Sequence, residues 1–288
     1  MDEKELLAVI TKSGWKGAWE EQIEGLLSKI RLLETKGRYR KLLTSLSAAN
    51  DRNNLLASVL EATIAFQFES AGIELKYEIR QDPDKGGSID FCWKTATGRT
   101  AYIEVRLLQQ DRATADSIAD QLQIANAYRI AKNGQDEMQD IVRVQRAILE
   151  KVQKAEGVPT KFVTTNPNEI NIVAVDASQI ILGAFDTDDC KLVALGDPAV
   201  NSVCRRGIFG LFQEPIPVDP EFIQSRAQSF SHLRTTLHGL MFLFRRPQMD
   251  SFRYSLSQFL IWNRALIDER TAEAISNEIE VALPMRSE

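Results

Sequence analysis

Between residues 52 and 108 the spacing of apolar residues changes period, and that change constrains the fold more than any other feature of the chain. Leu56, Val59, Leu60, Ile64 and Phe68 recur at helical spacing. Asp51 or Asn53 can cap the start of that helix, and Gly72 stops it. The pattern then shortens to alternation. IELKYEI over 73–79 predicts a strand, the turn-rich QDPDKGGS leads into a second over about 88–94, and Ala101–Leu108 forms a third after the turn at Ala96-Thr97-Gly98. Parallel neighbours need a crossover of about a dozen residues or more, so three strands this close in sequence form an antiparallel meander.

The remainder of the chain extends this start into an α/β order. From about 112 to 156 the pattern is helical, broken at Asn133-Gly134, and the second helix carries Met138, Ile141, Val142, Ile148 and Val152 on one side. EINIVAV over 169–175 suits a strand buried on both faces. HGLMFLFR (238–245) and RYSLSQFLIW (253–262) predict a hairpin, and ERTAEAISNEI (269–279) a closing helix. The expected fold is a mixed central sheet flanked by helices. Residues 1–48 form a helical N-terminal extension, with Leu6, Leu7 and Ile10 in one helix and Trp19, Ile23, Leu26, Leu27, Ile30 and Leu33 in the next. Residues 49–288 form the α/β domain, and 177–235, with its EPIPVDP loop, is a candidate insertion.

Composition narrows the function classes. The 288 residues are 44% hydrophobic and 26% charged, enough for a full core without disulfides or metal staples. Net charge is −5, with 35 basic residues against 40 acidic ones, which argues against a chain that coats nucleic acid or anionic membrane through bulk charge. Phosphate contacts would instead come from local clusters, such as 31–41 or Arg205-Arg206. Cys92, Cys190 and Cys204 contain no CxxC pair and have the pattern of reduced thiols. His232 and His238 are the two histidines, which leaves no multi-histidine metal site. No apolar run reaches membrane-spanning length and no signal peptide is visible, so the expected compartment is the cytoplasm. GKS/T and GxSxG motifs are absent, which disfavours nucleotide hydrolysis and serine-triad chemistry.

Chemistry concentrates in the second and third strands of the meander. Ile89, Phe91 and Trp93 share one face by alternation, which sends Asp90 to the opposite face with Cys92 and Lys94. In the next strand Ala101, Ile103 and Val105 share a face, and Tyr102, Glu104 and Arg106 the other. A three-residue loop with Gly98 in the left-handed position pairs Thr95 with Arg99 and so places Asp90 opposite Glu104. Opposed Cβ atoms lie about 5 Å apart. Two carboxylates at that range repel unless a cation or a shared proton lies between them, and a hard ion such as Mg²⁺ takes this kind of ligand.

Asp90, followed after thirteen residues by Glu104-Val105-Arg106, resembles the PD-(D/E)xK nuclease superfamily, the restriction-endonuclease-like fold. Glu61, eleven residues before Gly72, is similar in placement to the glutamate that superfamily members often carry in the helix before the first strand. The resemblance covers residues 52–110 and implies a hydrolase that cuts DNA. In that reading Asp90 and Glu104 hold Mg²⁺ or Mn²⁺ with help from the Val105 carbonyl. Glu61 binds or orients a second ion or water, and Arg106 steadies the phosphate. The chain departs from the motif at Arg106, which stands where the superfamily has lysine. Arginine stays protonated and cannot serve as a base. Lys94 shares the Asp90 face, but four residues of strand put it roughly 13 Å away. Pro83-Asp84 is a second "PD", in a turn without strand context.

Two other readings stay open: a catalytically silent relative that binds nucleic acid or protein, and an unrelated α/β protein. Residues 1–48 offer a surface for a second copy or another protein. His232 and His238 are expected to be packing or surface residues, and Asp176 to start a turn.

Overall fold

In the computed structural model the described residues are 1–14, 20–109, 117, 121, 134–154, 158–163, 166–176, 178, 185–197, 207–210, 231–246 and 252–286. Cys204, Arg205-Arg206, Trp15, Trp19, the 214–220 loop and nearly all of the first half of the 112–156 helical stretch lie outside them.

Four helices open the chain: α1 (Glu3–Lys12), α2 (Glu20–Lys36), α3 (Arg40–Ser47) and α4 (Arg52–Ser70). Strands β1 (Lys76–Ile79), β2 (Ile89–Lys94) and β3 (Thr100–Leu107) follow, then α5 (Gly134–Val152) and β4 (Glu169–Asp176). Helix α6 (Thr187–Ala194), strands β5 (Gly239–Arg246) and β6 (Ser255–Trp262), and α7 (Glu269–Ala282) complete the described elements. The strands form one sheet in the order β1-β2-β3-β4-β5-β6. β1, β2 and β3 are antiparallel, β3, β4 and β5 run parallel, and β6 returns antiparallel to β5. This is the mixed, helix-flanked sheet expected from the apolar pattern.

Each boundary has a local cause. Asp51, not Asn53, caps α4, its side chain accepting from the Asn54 N–H. Gly72, at φ 79°, ends the helix. β1 starts three residues later than the alternation suggests. The Ile73 N–H donates to the Phe68 carbonyl and the Leu75 N–H to the Glu69 carboxylate, so these residues close the end of α4 before the ladder begins. The buried face of α1 is Leu6, Val9 and Ile10, and Leu7 is exposed. The buried face of α5 includes Ile141, Val144, Ile148 and Val152, and Val142, expected inside, faces outward.

Alternation sorts the sheet's side chains into two layers. Phe91, Trp93, Ile103, Val105, Ile172 and Ala174 pack with α1–α4 and α7 in one cluster. Tyr102, Val173, Val175, Leu240 and Phe242 pack with α5, α6 and residues 233–237 in the other. Helices α1–α3 therefore share a core with the sheet. They are tied down further by Glu69, whose carboxylate accepts from Arg38, from the Tyr39 hydroxyl at 2.5 Å and from the Leu75 N–H. None of the described helices is long and apolar enough to cross a membrane.

Candidate functional site

The hairpin between β2 and β3 has the register that its turn dictates. The Thr95 N–H donates to the Arg99 carbonyl, Gly98 takes φ 80°, and the ladder runs from Lys94↔Thr100 to Phe91↔Ile103. One step further Asp90 faces Glu104, as the three-residue loop requires. There the pairing of the two strands stops. Continued alternation would next join Ile89 and Val105. Instead the Val105 N–H donates to Asp90 Oδ2 at 2.7 Å, and the Asp90 N–H lies 3.3 Å from Glu104 Oε2. Each carboxylate thus takes a backbone donor at the point where the strands part.

Alternation misplaces one residue here. Ile89 packs with the α5 layer, together with Ile79, not on the face of Phe91 and Trp93. Glu78, at φ 52°, lies between Tyr77 and Ile79 and rotates the sheet corner. Tyr77 and Phe91 stay on the α4 side while the Ile79↔Ile89 pair turns to the other. Asp90 lies between them, at the boundary of the two layers.

Three layers contribute to the site. From the sheet come Asp90 and Glu104, the latter with no exposed surface. From α4 comes Glu61, which accepts a 2.7 Å hydrogen bond from the Tyr77 hydroxyl. From the α5 side come two lysines. Lys151 Nζ lies 3.0 Å from Glu104 Oε1 and 4.0 Å from Asp90 Oδ2, and Lys161 Nζ lies 2.9 Å from the same Glu104 oxygen. Burial, then the Asp90 charge, pushes the Glu61 carboxyl up to about 7, against the opposing pull of Tyr77 and Lys151. Glu104 is raised too, by burial and then by Asp90, with both lysines acting the other way. Burial pulls the Lys151 ammonium down, but Glu104 and Asp90 outweigh it and hold it above the ordinary lysine value. Lys151 therefore stays charged at neutral pH.

Lysine at this site is the largest departure from the sequence expectation. Lys151 is on a different element from the motif, at the edge of the α5 apolar stripe three residues after Ile148. Its position beside the stripe was the available signal, but nothing in the sequence orients that helix over Asp90. Lys94 is not the displaced lysine: it is exposed at the turn end of β2 and donates to Thr100 Oγ1 at 2.7 Å. Arg106 continues the Glu104 face of β3, and its Nε is buried without a hydrogen-bond partner among the described residues. Pro83-Asp84 stays in a turn, where the Asp84 N–H donates to Asp82.

The other candidates are structural. His232 Nε2 lies 3.0 Å from the Lys161 carbonyl, and His238 Nδ1 accepts from the Asn171 N–H. Asp176 is buried and paired with Arg245 at 2.8 Å while accepting from the Ser178 N–H, so the expected turn aspartate is also half of an internal ion pair. In the basic cluster at 31–41, Lys36 and Arg38 pair with Glu69, and Lys41 with Glu78.

Donor chemistry at the Asp90–Glu104 pair fits a hard divalent cation. No group of three or more His, Cys, Asp or Glu residues with metal-holding geometry occurs among the described residues. Mg²⁺ needs less: it usually keeps several waters and takes one or two carboxylates. Glu104 Oε1 is a buried carboxylate oxygen that holds cationic groups, with the Lys151 and Lys161 ammonium groups at 3.0 and 2.9 Å. No protein-family model matches this chain, and no curated protein or solved structure matches it.

Proposed function

We propose that the chain is a metal-dependent nuclease that hydrolyses DNA phosphodiester bonds at the Asp90–Glu104 site. The observation that carries this reading is the pair of carboxylates where β2 and β3 part, with the Lys151 ammonium reaching both. The helix–strand–strand–strand order through α4 and β1–β3, with Asp90 and Glu104 on the second and third strands, supports a restriction-endonuclease-like core.

Asp90 and Glu104 would hold Mg²⁺ or Mn²⁺. Such an ion, when bound, lowers the pKa of water and polarises a phosphoryl oxygen. Lys151 takes the place that Arg106 cannot fill. It is a compact point charge beside both carboxylates, placed to stabilise negative charge on the phosphate. Glu61, oriented by Tyr77, positions water on the α4 side. Arg106 continues the Glu104 face toward the end of β3 and steadies the phosphate through its planar fork.

The test is cleavage of plasmid, linear duplex and single-stranded DNA with Mg²⁺ or Mn²⁺. Asp90→Ala is expected to abolish cutting and Lys151→Met to reduce it by about a hundredfold or more, with both variants folded by circular dichroism. Lys94→Met should leave the rate unchanged. Activity surviving in Asp90→Ala, or a wild type inert with every cation and substrate, overturns the reading. The two ammonium groups on Glu104 favour a second reading, a nuclease-fold protein that binds DNA without cutting it. Its mark is retained DNA binding with no cleavage under any cation.

A further inference from the structure

The two lysines on Glu104 are held in different ways. Lys151 extends from a helix and contacts the carboxylates through its ammonium alone. Lys161 belongs to a strap that is fastened along its length. The Thr160 and Lys161 N–H groups both donate to the Val152 carbonyl at the end of α5, at 2.8 and 3.0 Å. The Thr160 carbonyl accepts from the Gly87 N–H at 2.6 Å, and the Lys161 carbonyl meets His232. Gly86 lets the strap lie this close: a Cβ there would sit 2.9 Å from the Thr160 carbonyl oxygen. Phe162, buried, takes φ 54° in the next position. A left-handed phenylalanine costs conformational energy, and the surrounding contacts hold it there. The Lys161 ammonium then reaches the Ser88 carbonyl and Glu104 Oε1.

The result is a cation built into the fold on the buried carboxylate that the proposed metal would need. We propose that Lys161 is the resident counter-ion of Glu104, that an incoming divalent cation must displace its ammonium, and that the 158–163 strap thereby sets the cation affinity of the site. This rests on the nuclease reading only for the identity of the site. Displacement is local, because the ammonium can swing from Glu104 on its four-carbon stem while the backbone bonds of the strap stay in place.

The experiment is calorimetric titration of the metal-free full chain with Mn²⁺, comparing wild type, Lys161→Met and Lys161→Arg. Removing the competing charge should tighten Mn²⁺ binding by about tenfold in Lys161→Met, while Lys161→Arg stays close to wild type. A residue that merely supports the fold would give the opposite sign, since a damaged site binds more weakly. Unchanged or weaker binding in Lys161→Met overturns the proposal, as does a lack of Mn²⁺ binding by both proteins. Wild-type chain supplies a second measurement that does not depend on a variant folding. Acetylation at Lys161, mapped by mass spectrometry, should rise several-fold when Mn²⁺ is added, and unchanged labelling overturns the proposal. Cleaving protein with unaltered Mn²⁺ affinity in Lys161→Met removes the strap's role and leaves the nuclease reading standing. Tighter binding without cleavage by either protein supports the strap and removes the nuclease reading.

Discussion

Lys29 shows how differently single charges are treated in this fold. The lysines at the candidate site have carboxylate partners, whereas Lys29 is buried among neutral acceptors. Its ammonium donates to Thr63 Oγ1 and to the Phe252 and Tyr254 carbonyls at 3.0, 3.2 and 2.7 Å. Burial, and then the Arg245 charge, lowers it to about 7. An unfolded lysine stays protonated to about pH 10.4, so between pH 7 and that value the unfolded chain binds the extra proton. Stability contributed by this group therefore rises with pH across that interval. The stability difference between wild type and Lys29→Met should shift by about 2 kcal/mol in favour of wild type from pH 7 to pH 9, measured by urea denaturation. A difference independent of pH would mean that Lys29 titrates normally. Taking the difference removes Cys92 and Cys190, whose burial-raised thiols act in the opposite direction at alkaline pH. At the same scale, the facing of Asp90 and Glu104 is legible in the sequence because it rests on a local turn rule, whereas Glu61 is singled out only by the family resemblance. Tyr77 and Lys161 carry no signal in the sequence and Lys151 only its place beside the α5 stripe, because each reaches the site through an orientation that the pattern does not encode.

Elements with a local cause were the legible ones. The β2–β3 hairpin follows from a three-residue loop with Gly98, and its register carries Asp90 to Glu104 without help from the rest of the molecule. Helix α4 is likewise announced by its cap. Asp51→Ala should cost about 1 kcal/mol, because the Asn54 N–H loses its acceptor. The check is thermal denaturation, and a variant as stable as wild type would show that solvent replaces the cap fully. The errors have a common origin. Period alone marks helix α5, yet it puts Val142 inside, since a few apolar residues at helical spacing define the facing direction only to a fraction of a turn. That same fraction of a turn decides whether Lys151 meets Glu104. Ile89 was misplaced because strict alternation assumes an unbroken strand, and Glu78 in the left-handed region breaks it next door.

At the scale of the molecule, the C-terminal ends of β4 and β5 are joined by a buried charge pair. Asp176 ends β4 without exposed surface and is paired with Arg245 on β5, both shielded from water. Removing Asp176 takes from the buried Arg245 guanidinium the carboxylate that lies 2.8 Å from it. Asp176→Ala is therefore expected to cost about 3–5 kcal/mol, seen as a lower denaturation midpoint. A loss below about 1 kcal/mol would mean that the pair behaves like a surface bridge. Whole-molecule packing also decides where helices α1–α3 sit: they share a core with α4 and the sheet, and Glu69 fastens the α2–α3 turn to the start of β1. Apart from α3 and α6, the sequence by itself determined the order and type of the described elements, the hairpin register and the facing carboxylates. These follow from period, caps and turn geometry, which act over a few residues. Only the tertiary structure decided which cations meet those carboxylates. The lysines come from the end of α5 and the strap beyond it, 47 and 57 positions after Glu104, and contacts over such separations are set by how the layers pack.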